Sequence, residues 1–302
     1  MRRRLAAPDV ETVSIFTVCE RAPMPELPEV ETVARLIRPH VSGRRVEAVA
    51  VAWKRTLGGL SQPAFERGLV GRRILGVERR AKYLVMPLDS GAAILCHLRM
   101  TGRLHAEPRG WDAGKFWKVR LELDSGRDLV FIDVRKFGRF ELVRDPAQRL
   151  AELGPEPLGP EFTAETLHAG LGARSRALKP LLLDQSFLAG LGNIYVDESL
   201  FRARLHPLAN SRRVSAEQAT LLHHEIRAVL SEAIEREGSS FDTFYRTPEG
   251  NPGSFQHQFR VYGRGGEPCR ECGTTIVRSV VGQRGTHTCP RCQPRPRPVR
   301  KR

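Results

Sequence analysis

Cys269 and Cys272 are separated by two residues, and after 16 residues Cys289 and Cys292 repeat the spacing. Two short knuckles presenting four thiolates are what a tetrahedral zinc ion requires. The stretch between them, "TTIVRSVVGQRGTHTC", predicts a β-hairpin turning near Gly282-Gln283. All four positions are filled by cysteine, so no position is open for a reactive water. The reading is therefore a single structural Zn2+, with His287 close by but not needed as a ligand. The remaining cysteines, Cys19 and Cys96, are scattered. This clustering suits a metal site in a reducing compartment better than a secreted disulfide framework. Arg264, Arg270, Arg278 and Arg284 surround the knuckles and suit a nucleic-acid reader.

Charge points the same way. Lys and Arg number 49 against 34 acids, a net charge of +15. Such a surplus favours a polyanion, because each phosphate neutralised releases condensed counterions. The plainer alternative is a solvated basic surface. An anionic lipid surface fits less well, since no basic amphipathic helix with a bulky apolar face stands out. No apolar run reaches the length of a membrane span or a signal peptide, so the chain reads as cytosolic.

The 302 residues allow two or three domains. After Pro28, Val30, Val33, Leu36 and Ile37 mark one face of a helix ending near Pro39. Seven short β candidates follow: "RRVEAVAV", "RRILGVERR", "KYLVMPL", "AAILCHLR", "FWKVRLELD", "RDLVFIDV" and "GRFELV". With Gly-containing turns between them they predict a β-sandwich or barrel. "LGPEPLGPEF" (153–162) reads as a linker, and beyond it the pattern is helical, with Ser215 and Gln218 at capping-box spacing. "GSSFDTFYRTPEGNPGSFQHQ" (238–258) is a loop too long to be idle. "QPRPRPVRKR" closes the chain as a basic, disordered tail.

One stretch stands in an odd place. "MPELPEVETV" at 24–33 reads like the start of a protein, yet 23 residues precede it. A proline at a chain start carries a free secondary amine, with an α-amino pKa of roughly 7.7–8. Such an amine attacks carbonyl-like carbons and yields a cationic iminium, an electron sink. Inside a chain the same nitrogen is an amide without that chemistry. Glu26 beside it could act as a general acid. On residues alone, a Pro-Glu pair before a helix is ordinarily just a helix start.

These residues nevertheless resemble the N-terminus of the formamidopyrimidine-DNA glycosylase and endonuclease VIII family of DNA repair enzymes. "RRAKYL" (79–84), "HLRMTG" (97–102), "VRKFGRF" (134–140), "LGPEPL" (153–158) and "GLGNIYVDESLFRARLHP" (190–207) resemble family blocks in family order, and the four-Cys finger closes the series. The resemblance covers about residues 24–293. It implies a multidomain α+β fold: an N-terminal β-sandwich with an N-terminal helix, a helical domain with a helix–two-turns–helix element, and a zinc-finger hairpin. It places domains at 25–150, 155–248 (with a lesion loop to about 258) and 259–293, flanked by a 1–24 extension expected to be absent from the active enzyme and a 294–302 tail.

The resemblance also implies a bifunctional glycosylase/lyase that removes oxidised bases from double-stranded DNA, or cleaves at abasic sites, after flipping the nucleotide out of the stack. Pro25 would be the nucleophile and Glu26 the proton donor. Lys82 would serve β-elimination and Arg284 δ-elimination. Met100, Arg135 and Phe137 would fill the vacated stack. Arg174 and Asn193 would contact DNA, and Glu29 would lie near the flipped nucleotide. The long loop favours 8-oxoguanine and ring-opened purines over oxidised pyrimidines. A monomer in the bacterial cytosol is expected. Three departures bear on DNA contacts: Arg99 replaces a usual Gly, Lys136 replaces an Arg, and "GKFWKV" stands where a His-type phosphate contact is usual, leaving Lys115 or Lys118 to replace it. A damage-binding protein without catalysis is the alternative if residues 1–24 stay attached, and a zinc-finger regulator is a weaker third.

Overall fold

The computed structural model describes residues 24–240 and 252–296. The 1–23 extension, most of the proposed lesion loop (241–251) and the end of the tail (297–302) lie outside the described residues.

The first helix, α1 (Leu27–Val41), is shared by two lobes. Leu27 belongs to the apolar core of the helical lobe, whereas Val30, Val33, Ala34, Ile37 and Val41 belong to that of the sandwich. The helix runs through Pro39 rather than ending there. So close to the C-terminal end, the missing N–H costs one intrahelical bond, and the helix still closes with Ser42 N–H donating to the Arg38 carbonyl.

Next come β1 (Val46–Val51), α2 (Gln62–Leu69), β2 (Glu78–Arg80), β3 (Tyr83–Pro87), β4 (Ala93–His97), β5 (Gly102–Pro108), β6 (Trp117–Leu123), β7 (Arg127–Asp133) and β8 (Arg139–Val143). They form two four-stranded antiparallel sheets, ordered β1-β6-β7-β5 and β2-β3-β4-β8. Leu84, Met86, Ile94 and Phe140 of one sheet meet Leu104, Leu121, Leu129 and Phe131 of the other in a single core. This is the expected sandwich. The expectation lacked β5 and α2. The segment "GRLHAEP" pairs along its whole length with β7, but its Gly, His and Pro hide the alternation in sequence.

After α3 (Pro146–Leu150), the helical lobe holds α4 (Ala164–Gly172), α5 (Leu178–Leu182), α6 (Asn193–Arg202) and α7 (Ala216–Glu235), the last carrying the Ser215/Gln218 capping box. The short hairpin β9 (Val277–Val281) and β10 (Arg284–Thr288) follows. Its turn is Gly282-Gln283, both with positive φ, the geometry that suits a two-residue hairpin loop. No helix among the described residues is long and apolar enough to cross a membrane.

Candidate active site at the seam between the lobes

Pro25, Glu26 and Glu29 lie where α1 meets the N-terminus of α6. All three are buried. The Glu26 carboxylate accepts from Ile194 N at 3.0 Å and more weakly from Tyr195 N at 3.5 Å. An acidic group is favoured there by the unpaired N–H groups and the positive end of the helix dipole. Gly192 makes the approach possible, because a Cβ at that position would overlap the Glu26 carboxyl group. Glu29 accepts from Glu26 N at 2.9 Å, Ser239 N at 2.8 Å and the Tyr195 hydroxyl. It thereby ties α1 to α6 and to the root of the long loop.

Lys82 is the cation of this seam. It is 6% exposed, and its ammonium meets no hydrogen-bond acceptor among the described residues. Burial lowers its pKa; Glu26 and Glu29 oppose that, while Arg284 and Arg99 add to it. Burial raises Glu26 to about 7, with the charge on Lys82 opposing. A carboxyl that titrates near neutrality is suited to give up a proton there. Burial also raises Glu29, opposed by its hydrogen bonds to Tyr195 and Ser239.

The turn before Lys82 is held from the other lobe. Glu156, in the segment read only as a linker, accepts from Ala81 N, from Arg79 at 2.6 Å and from Arg80 at 2.8 Å. Arg79 also reaches Glu31 of α1 at 3.0 Å, and Arg80 donates to the Leu153 and Gly154 carbonyls. The two sides of the site are thus keyed to the helical lobe independently, Glu26 through α6 and Lys82 through Glu156.

The stack-filling candidates sit on two loops at one end of the sandwich. Met100 is half-buried, and Phe137 is 51% exposed with the Arg135 guanidinium 5.0 Å from its ring centre. Both loops are fixed by Asp133, which accepts from Thr101 Oγ1, from Arg135 N at 3.2 Å and from Gly138 N at 2.7 Å. Sequence reading missed Asp133, hidden in the strand "FIDV".

Six non-glycine residues among those described have left-handed φ, and four of them directly precede a candidate site residue. Ala81 precedes Lys82, Arg99 precedes Met100, Lys136 precedes Phe137 and Gln283 precedes Arg284. Each such residue costs about 1–3 kcal/mol, and strain of this kind concentrates at functional sites.

The remaining candidates are more scattered. Arg284, exposed at the start of β10, is close enough for its charge to depress Lys82. Asn193 opens α6, and its amide already donates to Gly285 O at 3.0 Å. Arg174 is exposed and lies over the Phe187 ring at 4.9 Å. Lys118 is buried beside Phe116, and Lys115 also lies over that ring.

The four cysteine sulfurs lie within 4.8 Å of one another. Cys269 and Cys292 are 4.0 Å apart, Cys272 and Cys289 3.4 Å. Zinc–sulfur bonds of about 2.3 Å set tetrahedral edges of roughly 3.8 Å, so the cluster fits one zinc. The finger is fastened to α6 by two buried acids. Asp197 pairs with Lys179 at 2.6 Å and accepts from His287 N at 3.0 Å. Glu198 accepts from Arg260 N, Val261 N and Tyr262 N at 2.8–3.0 Å.

Comparison with known proteins matches three families in succession: the formamidopyrimidine-DNA glycosylase N-terminal domain over residues 24–140, its H2TH domain over 153–245, and the zinc finger found in FPG and IleRS over 266–295. The chain is 47% identical over 276 residues to a formamidopyrimidine-DNA glycosylase of Chloroflexus aurantiacus, covering 89% of this chain and 98% of that protein. It is 42% identical over 274 residues to one of Desulfitobacterium hafniense, covering 89% and 100%. Among solved structures it is similar to the MutM (Fpg) protein of Thermus thermophilus (TM-score 0.80, 44% identity, 89% and 98% covered). It is also similar to Lactococcus lactis Fpg in complex with DNA containing an abasic site (TM-score 0.82, 34% identity, 90% and 100% covered).

Proposed function

Because the chain belongs to the formamidopyrimidine-DNA glycosylase family, and so is a DNA glycosylase of DNA repair, we propose that it excises oxidised purines and then cleaves the strand through a covalent proline intermediate. The observation that carries this reading is the seam itself: Pro25 beside a buried Glu26 whose pKa is raised to about 7, with both acids acting on the charge of a buried Lys82 that has no hydrogen-bond acceptor among the described residues.

The Pro25 nitrogen attacks C1′ of the flipped nucleotide. The C1′–base bond breaks, Glu26 protonates the ring oxygen, and the opened sugar remains as an iminium on Pro25. The iminium acidifies the C2′ hydrogens. Loss of a C2′ proton breaks the C3′–O bond and releases the 3′ phosphate. A second elimination breaks the C5′–O bond. Lys82 serves the first elimination and Arg284 the second. Met100, Arg135 and Phe137 occupy the vacated stack, while Asn193 and Arg174 contact the duplex.

This chemistry needs Pro25 as the first residue. The match to the family begins at Met24, which supports a start at Met24; removal of that methionine would then free the Pro25 amine. The remaining units then follow as a catalytic sandwich (25–150), a DNA-binding helical domain (155–248) and the finger (259–293), in a monomer acting in the cytoplasm. When bound, zinc supplies rigidity, and the finger's residues hold Arg284 toward the seam.

Intact mass of the natively expressed protein, followed by borohydride trapping on duplexes with 8-oxoguanine opposite C or thymine glycol opposite A, tests the reading. A start at Pro25 and a trapped adduct, formed faster on 8-oxoguanine, are expected. Retention of Met1 with no adduct would leave only damage binding, and preference for thymine glycol would overturn the substrate class.

A further inference from the structure

Arg99 has the unusual combination of a costly backbone and an unused side chain. Its φ is 55°, a conformation that glycine adopts without strain. The turn holding it is closed on both sides: Arg99 N donates to His97 Nδ1 at 3.1 Å, and Gly102 N donates to the Leu98 carbonyl at 2.9 Å. The side chain is exposed, and its guanidinium meets no carboxylate and no hydrogen-bond acceptor among the described residues. Strand register fixes where the turn stands. Tyr83, which follows Lys82, pairs with His97, two residues before Arg99, so the start of β3 and the end of β4 share one edge. Lys82 and Arg99 therefore leave the sheet side by side, and Met100 follows directly.

We propose that Arg99 is a third cation of a phosphate site at the seam, gripping together with Lys82 and Arg284 a backbone phosphate that flanks the lesion. None of the three side-chain cations has an acceptor among the described residues, and one of them is more than nine-tenths buried. Cations gathered this way repel one another, as the depression of Lys82 by Arg284 and Arg99 records. An anion on the open side removes the repulsion. A phosphate released by elimination gains negative charge as it leaves, so a guanidinium beside it is favourable at that step. The site rests on the DNA-glycosylase reading given above.

The test is the salt dependence of binding to a duplex with a stable abasic-site analogue, using the full chain. Arg99→Gly and Arg99→Gln are expected to flatten the plot of log affinity against log salt by about 0.9, the loss of one phosphate contact. Arg99→Lys is expected to keep the wild-type slope. Arg99→Gly should melt at or above the wild-type temperature, since it removes the strained side chain. In chains beginning at Pro25, strand cleavage of an abasic duplex should fall roughly tenfold for Gly and Gln and recover in part for Lys. Wild-type slopes in both Gly and Gln variants overturn the proposal. A wild-type chain with no salt-dependent affinity would overturn the functional reading itself, a result distinct from the first.

Discussion

Two pairs of acids are buried around helix α6, and they are used differently. Asp197 and Glu198 in α6 are saturated: one holds Lys179 and His287 N, the other three successive backbone N–H groups. On one side, Glu26 is held by the Ile194 and Tyr195 N–H groups at the N-terminus of the same helix, and Glu29 accepts from Glu26 N, Ser239 N and the Tyr195 hydroxyl. On the other stands Lys82, whose ammonium lacks an acceptor among the described residues. The first pair is satisfied by fastening the finger to the helical lobe. The second keeps a proton near neutral pH and a cation in reserve. Burial alone does not mark a candidate acid; burial beside a cation that has no acceptor among the described residues does.

Substitution should separate the two pairs. Glu26→Gln is nearly isosteric and keeps an acceptor for Ile194 N. It should lower base excision about 10²–10⁴-fold, the usual worth of a positioned acid. It should leave unfolding by urea unchanged or more difficult at pH 8, because a costly buried carboxylate is gone. Single-turnover excision and a urea titration on the same sample check both. Asp197→Ala should do the reverse. It leaves the buried Lys179 ammonium with only the Gly285 carbonyl and no counter-charge among its hydrogen-bond partners, and should cost about 3–5 kcal/mol, read as a lowered urea midpoint and faster zinc loss to a chelator. An unchanged midpoint would mean that Asp197 and Lys179 hold nothing together.

The finger was readable because its ligands are local: two Cys-x-x-Cys knuckles and a Gly-Gln turn specify it within 24 residues. The sandwich was readable from strand periodicity, except where β5 breaks the alternation. The seam was not. Nothing in "GPEP" says that Glu156 crosses to Ala81, and nothing in "FIDV" says that Asp133 caps two loops, because these contacts join positions 75 and 32 residues apart. Resemblance named Pro25, Glu26 and Lys82. Only the fold shows why Glu26 retains its proton and why the residues before Lys82, Met100, Phe137 and Arg284 are strained.

A pH profile sharpens the contrast further. Glu26 binds its proton more tightly in the folded chain, near 7, than at the ordinary value of 4.5. Excision needs that acid protonated and the Pro25 amine, with a pKa of roughly 7.7–8, neutral, so it should peak between about 7 and 8. It should decline above about 8, where Glu26 is ever more ionised, and below about 7, where the amine is ever more protonated. The sign for stability is the same as for the acid limb: the folded state holds a proton that the unfolded chain has released, so the stabilisation by Glu26 protonation is lost between about 4.5 and 7 as pH rises. In Glu26→Gln this contribution should vanish from the urea midpoint. A midpoint with the same pH dependence in both proteins would place the titrating group elsewhere.

The smallest expected effect concerns the clamp that positions Lys82. Glu156→Gln keeps an acceptor for Ala81 N but gives up the charge that holds Arg79 and Arg80. Lys82 should shift by less than the full 1 Å misplacement that costs roughly 10²-fold, so β-elimination should slow by about tenfold or less. On the proposed mechanism the adduct forms at Pro25, on the side of the site anchored through Glu26 and α6, and should continue to form. The measurement is therefore the ratio of borohydride-trapped adduct to cleaved strand on an abasic duplex. In Glu156→Gln the ratio should rise, and the same direction with larger size is expected of Glu156→Ala. If trapping and cleavage fall in proportion, Glu156 merely holds the lobes together. If Lys82→Gln also leaves the ratio at the wild-type value, the lysine has no part in elimination, and the two keyed sides of the site are one.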